Sequence, residues 1–178
     1  VMSDALKAAY PYRYWAACNG EGSQRKGLNG VAIWSKIQPK YHYNMAFAAN
    51  EGRTMALDIG PYIIVCVYTP NSQYSGSDRN KMREKEWDPM FRDWINNLNA
   101  QKPTIVCGDF NIARTDIDIA KPDQWEGAAG VLPGERANFE LLLDSNWIDT
   151  FREKHPGEPD HYTYWNQKCP WERKSNIG

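Results

Sequence analysis

A carboxylate and an amide lie two residues apart near the middle of the chain, directly after a short apolar run. The run covers Thr104 to Cys107, and Gly-Asp-Phe-Asn covers Gly108 to Asn111. Asp109 offers oxygens that suit a hard cation or a positioned water, and Asn111 offers both a donor and an acceptor. This pair therefore suits a phosphate group and its metal ion. The same residue types are also favoured in turns for backbone reasons alone, so the tetrapeptide by itself permits a simple turn.

The apolar run before this pair is typical of a strand. It is short, rich in β-branched residues and bounded by Pro103 and Gly108, which predicts a fully buried strand that ends at the glycine. Ligands of α/β sheets usually bind beyond the carboxyl ends of the strands. Asp109 and Asn111 would lie at such an end.

A second strand precedes this one, with a helix between them. Tyr62 to Tyr68 is an apolar run of strand length, and Asn71 closes the turn that follows it. From Lys81 to Leu98, apolar residues recur at three- and four-residue steps, which predicts an amphipathic helix. Strand, helix and strand in this order form a βαβ unit with parallel strands. The sequence therefore predicts that Tyr68 and Asp109 emerge at the same end of one sheet.

The remaining segments predict further elements of an α/β protein. An N-terminal helix leads into an edge strand, a half-buried strand forms an antiparallel hairpin with the Tyr62 strand, and a later helix begins at a proline. A polar loop carries two cations that either face solvent or contact phosphate. These segments are, in order, Tyr10–Trp15 after the helix, the loop cations Arg25 and Lys26, the strands Gly30–Ser35 and Arg53–Ile59, and the helix from Pro133.

Composition limits the class of protein. A chain of 178 residues with 42% hydrophobic content fits a single domain, residues 1–178. No apolar run approaches the ~18 residues of a membrane helix, and the N-terminal residues do not read as a signal peptide. The four cysteines form no Cys-x-x-Cys pair, so a zinc site is not expected. Two of them lie in predicted buried strands, which favours a reduced, intracellular compartment. With a net charge of −1, nucleic acid would have to be bound locally rather than by a broad positive field.

Five segments in order resemble the exonuclease III type of apurinic/apyrimidinic (AP) endonuclease, within the endonuclease/exonuclease/phosphatase superfamily. The resemblance runs from about Tyr12 to the end of the chain. Its motifs are Tyr68-Thr-Pro-Asn71, the metal and nucleophile loop Gly108 to Asp118, Leu132-Pro-Gly-Glu-Arg136, Ile148-Asp-Thr-Phe-Arg152 and Tyr162-Thr-Tyr-Trp165.

The resemblance implies a fold and an activity. The fold would be a four-layered α/β sandwich of the DNase I-like type, incomplete at both termini. The enzyme would hydrolyse the DNA backbone 5′ to abasic sites and would also act as a 3′–5′ exonuclease, with Mg²⁺ or alternatively Mn²⁺ as cofactor. Its partner would be double-stranded DNA with abasic sites and not a membrane. It would act as a monomer in the bacterial cytoplasm or the eukaryotic nucleus.

The resemblance also implies roles for individual residues. Asp109 would orient or deprotonate the attacking water and bind the metal, and Asn111 would hold the phosphate and the water in line. Tyr68 and Asn71 would donate hydrogen bonds to the scissile phosphate. Asp118 would support the metal and the site from the following loop. For Tyr68 alone, a tyrosine that merely ends a strand is the structural alternative.

A second group of residues is expected to contact DNA away from the reacting atoms. Tyr164 and Trp165 would line a pocket for the sugar that lacks its base, although an ordinary pair of core aromatics remains the alternative. Arg53, Arg173 and Lys174 are the expected phosphate and DNA contacts. A nucleotide that has lost its base costs less to extrude, which is one source of selectivity for abasic lesions.

Some residues of the family pattern have no counterpart in the sequence. Members carry a metal-binding Glu before the matching region and an Asp-His pair after it, and neither His155 nor His161 falls in a matching context. We therefore expect these residues to be the middle of a longer enzyme and to be inactive alone, because residues that act as a unit fail together. Two alternatives remain: a phosphodiesterase or phosphatase of this superfamily acting on RNA or lipid, and a DNA-binding module without catalysis.

Overall fold

The computed structural model describes residues 3–21 and 26–178, so the loop cation Arg25 lies outside the described residues. The chain divides into two compact units. The sheet unit comprises Val1–Pro70 and Met90–Phe110, and the helical unit comprises Asn71–Pro89 and Asn111–Gly178. That the whole chain acts as one domain stays a prediction. Within the described ranges, no helix combines the length and the apolar character needed to cross a membrane.

Along the described residues a short helix is followed by five strands, then two helices, a sixth strand and three further helices, with short 3-10 and π segments between some of them. The strands are β1 Tyr12–Ala17, β2 Gly30–Ser35, β3 Tyr41–Tyr43, β4 Thr54–Asp58, β5 Ile63–Tyr68 and β6 Thr104–Asp109. The helices are α1 Asp4–Ala9, α2 Asp78–Met82, α3 Asp88–Gln101, α4 Pro133–Leu143, α5 Thr150–Lys154 and α6 Pro170–Lys174. The N-terminal helix, the edge strand after it, β2 and the helix that begins at Pro133 confirm the sequence prediction, whereas the short strand β3 was not predicted.

The core of the sheet unit lies between two sheets. β1 and β2 form an antiparallel pair, and β3, β4, β5 and β6 form a four-stranded sheet in that order. β2 packs against β4 and β5, and Val31, Met55 and Leu57 form the buried cluster between them. The prediction of a half-buried strand at β4 is wrong. All five of its residues are buried, because the strand is central and both of its faces are covered.

The βαβ prediction is confirmed in the sheet unit. β5 and β6 are parallel, and the crossover between them contains α3. Tyr68 and Asp109 are direct partners in the register of this ladder, and the Thr69 backbone N–H donates to the Asp109 carbonyl at 2.8 Å. The antiparallel hairpin of β4 and β5 is confirmed as well.

β6 differs from its prediction in burial and in length. It continues through Asp109 instead of ending at the glycine, and it is exposed where a fully buried strand was predicted. Ile105 is 51% exposed and Cys107 is also exposed, and we call these two side chains the open face of β6. Among the described residues, β6 is the outermost strand of its sheet, and β2 packs on β4 and β5.

Gly108 allows β6 to approach β5 closely just before Asp109. Its φ of +134° is a conformation that side chains rarely adopt. A Cβ added at this position would collide with the backbone of Val67 in β5. A glycine is therefore required at this position for two separate reasons, backbone conformation and space.

The helical unit contains an irregular helix. α2 begins at Asp78, where the Ser77 hydroxyl accepts from the Asn80 N–H at 3.0 Å, and a single π-helical segment, Arg83–Trp87, joins α2 to α3. The predicted helix from Lys81 therefore starts earlier and changes its winding. Trp87, Phe91, Ile95 and Leu98 of the predicted apolar stripe are buried, whereas Met90, also predicted to be part of it, is 46% exposed.

We expect Gly108→Ala to destabilise the protein strongly. The substitution combines an unfavourable backbone conformation with a collision against Val67, so we expect a loss of about 3 kcal/mol or more in the free energy of unfolding. Thermal unfolding followed by circular dichroism measures this loss.

Gly76→Ala is the matched control. Gly76 also has a positive φ, +77°, but an added Cβ there meets open space. Gly76→Ala should therefore lower the free energy of unfolding only by the backbone strain, about 1 kcal/mol. Equal losses in the two variants would contradict the close approach of β6 to β5.

Candidate functional site

The first group of candidate residues belongs to the sheet unit. Tyr68 and Asp109 are register partners at the carboxyl ends of two parallel strands. Neighbouring strands lie about 4.8 Å apart, so the two residues are side by side across the ladder. Asp109 is exposed and Tyr68 is half-buried. The sheet therefore brings a phenol and a carboxylate together at one strand end, and we call them the strand-end pair.

Arg53 positions Tyr68. Its guanidinium lies over the tyrosine ring at 4.9 Å from the centroid, and its Nη1 donates to the Tyr68 carbonyl at 3.2 Å. Its Nε donates to Glu51 at 2.5 Å. Arg53 was expected to contact DNA phosphate, yet it is only 4% exposed and is engaged with its own neighbours. In this arrangement it acts on the strand-end pair by fixing Tyr68 instead of facing solvent.

The second group belongs to the helical unit. Asn71 Nδ2 donates to Asn111 Oδ1 at 3.3 Å, and Asn71 Oδ1 accepts from the Gln73 N–H at 2.8 Å. Asn111 has a φ of +48°, in the left-handed region that asparagine tolerates better than most residues. We call Asn71 and Asn111 the asparagine pair. Two residues that are 40 positions apart in the chain are thus brought into contact.

A buried ion pair braces the backbone of Asn111. Arg83 Nη1 donates to the Asn111 carbonyl at 2.8 Å and to Glu135 Oε1 at 2.7 Å. The other oxygen of Glu135 accepts from the N–H groups of Gly130 and Leu132, at 2.7 and 3.1 Å. Both charged side chains are buried. Arg83 therefore holds the left-handed turn at Asn111 directly, and Glu135 holds Arg83 in place.

Sequence reasoning missed this brace. A signal for Glu135 was present, because it is the third residue of the helix that begins at Pro133 and glutamate at this position typically bonds back to the helix start. No comparable signal marks Arg83. A charged residue on a predicted amphipathic helix is normally assigned to the solvent side.

Asp118 holds its loop together. Its Oδ2 accepts from the Thr115 N–H and hydroxyl, both at 2.9 Å, and its Oδ1 accepts from Arg152 Nε at 2.7 Å. Arg152 Nη1 also donates to the Glu158 carbonyl at 2.7 Å. Both oxygens of Asp118 are thus engaged by protein groups. This arrangement suits the loop-supporting part of its expected role better than metal ligation.

A more exposed ion pair fixes the same loop to α4. Arg114 binds Glu140 through two hydrogen bonds, at 2.7 and 3.0 Å. Through these hydrogen bonds Arg114 holds the pKa of Glu140 below its ordinary value. The bonds are bidentate but the Glu140 side chain is partly open to solvent, so the pair contributes little to stability.

The expected DNA contacts lie near the end of the chain in the helical unit. Tyr164 is 67% exposed, which rules out its alternative as a core aromatic. Trp165 is half-buried, and the Arg173 guanidinium lies over its ring at 5.4 Å from the centroid. Among the described residues, the Trp165 indole nitrogen is buried without a hydrogen-bond partner. Lys174 is exposed. Two aromatic rings and two cations thus belong to one short segment.

One described residue, Asp109, has the chemistry of a metal ligand. Within them, no three His, Cys, Asp or Glu side chains are grouped in a way that could hold a metal ion. The exposed carboxylate of Asp109 is a hard ligand, and Mg²⁺ is commonly held by one or two carboxylates together with water and substrate phosphate. Asp109 therefore fits such an ion as one ligand, with the others supplied by water, substrate or further residues.

Comparison with known proteins gives the same family as the motifs. Residues 2–175 match the model of the Endonuclease/Exonuclease/phosphatase family. A DNA-(apurinic or apyrimidinic site) endonuclease of Dictyostelium discoideum is 33% identical over 181 residues, with 100% of this chain and 48% of the relative covered. An exodeoxyribonuclease of Streptococcus pneumoniae is 33% identical over 129 residues, with 72% of this chain and 46% of the relative covered. The chain thus spans about half the length of these relatives.

A solved structure shows the same fold. An AP endonuclease from Archaeoglobus fulgidus superposes with a TM-score of 0.82 at 20% sequence identity, and the match covers 97% of this chain and 64% of that one. This likeness confirms the expected fold class, mixed α/β of the DNase I-like type.

We expect Glu135→Gln to destabilise the protein on the order of 3 kcal/mol, since it leaves Arg83 as a buried charge without its main partner. The carboxylate of Asp88 lies further from Arg83, at 3.7 Å from its Nε. Urea unfolding measures the change in the free energy of unfolding.

Glu140→Gln in the same helix is the control. It removes one charge from the more exposed pair with Arg114, and should cost about 1 kcal/mol or less. If the two variants lost equal stability, the Arg83–Glu135 pair would not be the brace of the Asn111 turn.

Proposed function

Because the chain belongs to the endonuclease/exonuclease/phosphatase family, we propose that the protein is a DNA-repair phosphodiesterase that cleaves the backbone 5′ to abasic sites. Removal of nucleotides from 3′ ends would be a second activity of the same residues. The proposal rests on the AP endonuclease and exodeoxyribonuclease relatives and, above all, on the strand-end pair. We propose that it acts as a monomer inside the cell, where its DNA substrate lies.

The strand-end pair supports a hydrolytic role. An ionised carboxylate accepts hydrogen bonds only, so Asp109 would orient a water molecule and accept its proton as the water attacks phosphorus. The Tyr68 hydroxyl would donate a hydrogen bond to a phosphate oxygen, where negative charge develops. Arg53 contributes by holding the tyrosine ring in place, since reacting groups must be held in a narrow range of orientations.

The asparagine pair supports binding of the phosphate. Each amide has two N–H donors, and the bond from Asn71 to Asn111 uses one of them. We propose that the second N–H of Asn71 Nδ2 binds a phosphate oxygen, with Asn111 fixing the orientation of Asn71. The strained turn at Asn111 would be stable enough for this purpose because Arg83 holds its carbonyl.

Magnesium, or alternatively manganese, is the proposed cofactor. Asp109 is the described residue best suited to hold it, with water and phosphate as other ligands. When bound, such an ion neutralises negative charge on the leaving oxygen. Asp118 would act indirectly, by keeping Thr115 and Arg152 in place.

Recognition of damaged DNA is proposed for the segment near the end of the chain. Arg173 and Lys174 would bind backbone phosphates, and the exposed ring of Tyr164 and the neighbouring Trp165 would contact the extruded sugar. Such local contacts suit a chain whose net charge of −1 provides no broad positive field.

The experiment is cleavage of a duplex with one tetrahydrofuran abasic site, with and without Mg²⁺. The protein is the chain extended at both ends to the length of its relatives, and undamaged duplex, RNA and a lipid headgroup phosphodiester are parallel substrates. We expect Mg²⁺-dependent incision 5′ to the lesion and little cleavage of the others. Preferred cleavage of RNA or the lipid substrate would overturn the assignment, and binding without cleavage would indicate a DNA-binding module.

Asp109→Asn tests the mechanism in the same assay. We expect incision to fall by about 10²–10⁴-fold, as for loss of a general base, with the fold retained. Asp93→Asn is the control, because Asp93 is an exposed carboxylate on α3, and it should leave incision unchanged. Incision by Asp109→Asn at the rate of the unaltered protein would remove Asp109 from the mechanism.

A further inference from the structure

Two cysteines are direct partners across the ladder of β5 and β6. Cys66 and Cys107 are paired in the parallel register, and side chains of such partners lie on the same face of the sheet. Partner strands are about 4.8 Å apart, which falls within the range of about 4.4–6.8 Å between the Cα atoms of disulfide-bonded cysteines. The backbone therefore already has the spacing that a cross-strand disulfide requires.

The surroundings of the two thiols differ. Cys107 is exposed on the open face of β6, whereas Cys66 is half-buried against the cluster formed by β2 and β4. The Cys107 thiol donates to the Val65 carbonyl in β5 at 3.4 Å, so it leans toward the strand that carries Cys66. Within the described residues Cys107 is therefore the more accessible of the two thiols, with Cys66 next to it as the second thiol.

The surroundings raise the pKa of both thiols. Partial desolvation raises the pKa of Cys66 and also that of Cys107, although the Cys107 side chain is open to solvent, and the neighbouring Cys107 raises the pKa of Cys66 further. The pair should therefore be stable as free thiols until an oxidant is supplied. All four cysteines, Cys18, Cys66, Cys107 and Cys169, carry free thiols in the structure.

We propose that Cys66 and Cys107 form a dithiol site that a small-molecule disulfide oxidises to a cross-strand disulfide. This site is separate from the residues assigned to phosphodiester hydrolysis. Its ligand class is a low-molecular-weight disulfide such as oxidised glutathione.

The reaction balances in two exchange steps. The Cys107 thiolate attacks one sulfur of the small disulfide, whose S–S bond breaks, and the released thiolate takes up the proton that Cys107 lost. The Cys66 thiolate then attacks the Cys107 sulfur of this mixed disulfide, and a second small thiol leaves with the proton of Cys66. In total, two protein thiols lose two electrons and one small disulfide is reduced to two thiols.

The position of the pair implies an effect on the strand-end pair, and this part rests on the proposed function. Tyr68 and Asp109 each lie two residues further along the same two strands. A disulfide would draw the Cβ atoms of Cys66 and Cys107 to about 3.8 Å from each other, closer than the strands are spaced. The shift would disturb the strands just before the strand-end pair, so oxidation should lower incision.

The test treats the extended protein with oxidised glutathione under native conditions, blocks free thiols by alkylation, and maps the digested peptides by mass spectrometry without reduction. We expect a cross-linked peptide that contains Cys66 and Cys107, lighter by about 2 Da than the two reduced peptides together. Retention of glutathione on Cys107, a cross-link to Cys18 or Cys169, or two unreacted thiols would each overturn the proposal.

Matched variants separate the two parts of the inference. Cys107→Ser should abolish the cross-link, and Cys169→Ser should leave it intact. Incision measured in parallel should fall on oxidation, recover with a reducing agent, and be insensitive to oxidation in Cys107→Ser. A cross-link that leaves incision unchanged would overturn the regulatory effect alone. Absence of incision in every sample would instead count against the proposed function, since the mass measurement does not depend on activity.

Discussion

The parallel register of β5 and β6 determines which residues meet at the carboxyl end of the sheet. It makes Tyr68 the partner of Asp109 at the carboxyl end of the ladder. The crossover containing α3 imposes the parallel direction, and Gly108 lets the two backbones approach where a side chain would collide. A shift of one residue would place a different side chain opposite Tyr68. The pairing of the two backbones therefore decides which side chains are neighbours at this strand end.

The helical unit contains a turn whose backbone conformation is unfavourable and has to be stabilised. Asn111 adopts a left-handed conformation, and Arg83 and Glu135 hold it by hydrogen bonds. Burying two charges is costly unless their hydrogen bonds are satisfied. Glu135 meets this condition by accepting from Arg83 and from two backbone N–H groups. The ion pair is therefore better understood as a device that fixes one conformation than as a source of net stability.

Periodicity was enough to predict the hairpin of β4 and β5, the parallel pair of β5 and β6, and the helix between them. These features depend on local patterns and on the handedness of crossovers, which the sequence displays directly. The exposure of β6 could not be predicted in this way. An apolar strand looks the same in sequence whether or not a second sheet covers it, and among the described residues β2 packs mainly on β4 and β5.

The sequence was a poorer guide to the supporting residues. Asp109 and Asn111 stand out because a carboxylate and an amide follow a strand, whereas Arg53 and Arg83 look like surface cations. Their burial depends on contacts with Tyr68 and Glu135, which are distant in the chain. The position of Tyr164 could not be predicted either, because its aromatic segment was compatible with a place in the core or at the surface. In the structure Tyr164 is exposed.

A double-mutant cycle on Tyr68 and Asp109 tests whether the two residues act together in hydrolysis. Rates of abasic-site incision would be measured in the extended protein for Tyr68→Phe, Asp109→Asn and the two together. Adjacent residues that serve one reaction lose activity non-additively, so we predict that the double variant is less impaired than the product of the single effects. Single effects that simply multiply would show that the two residues act independently, and would contradict the account.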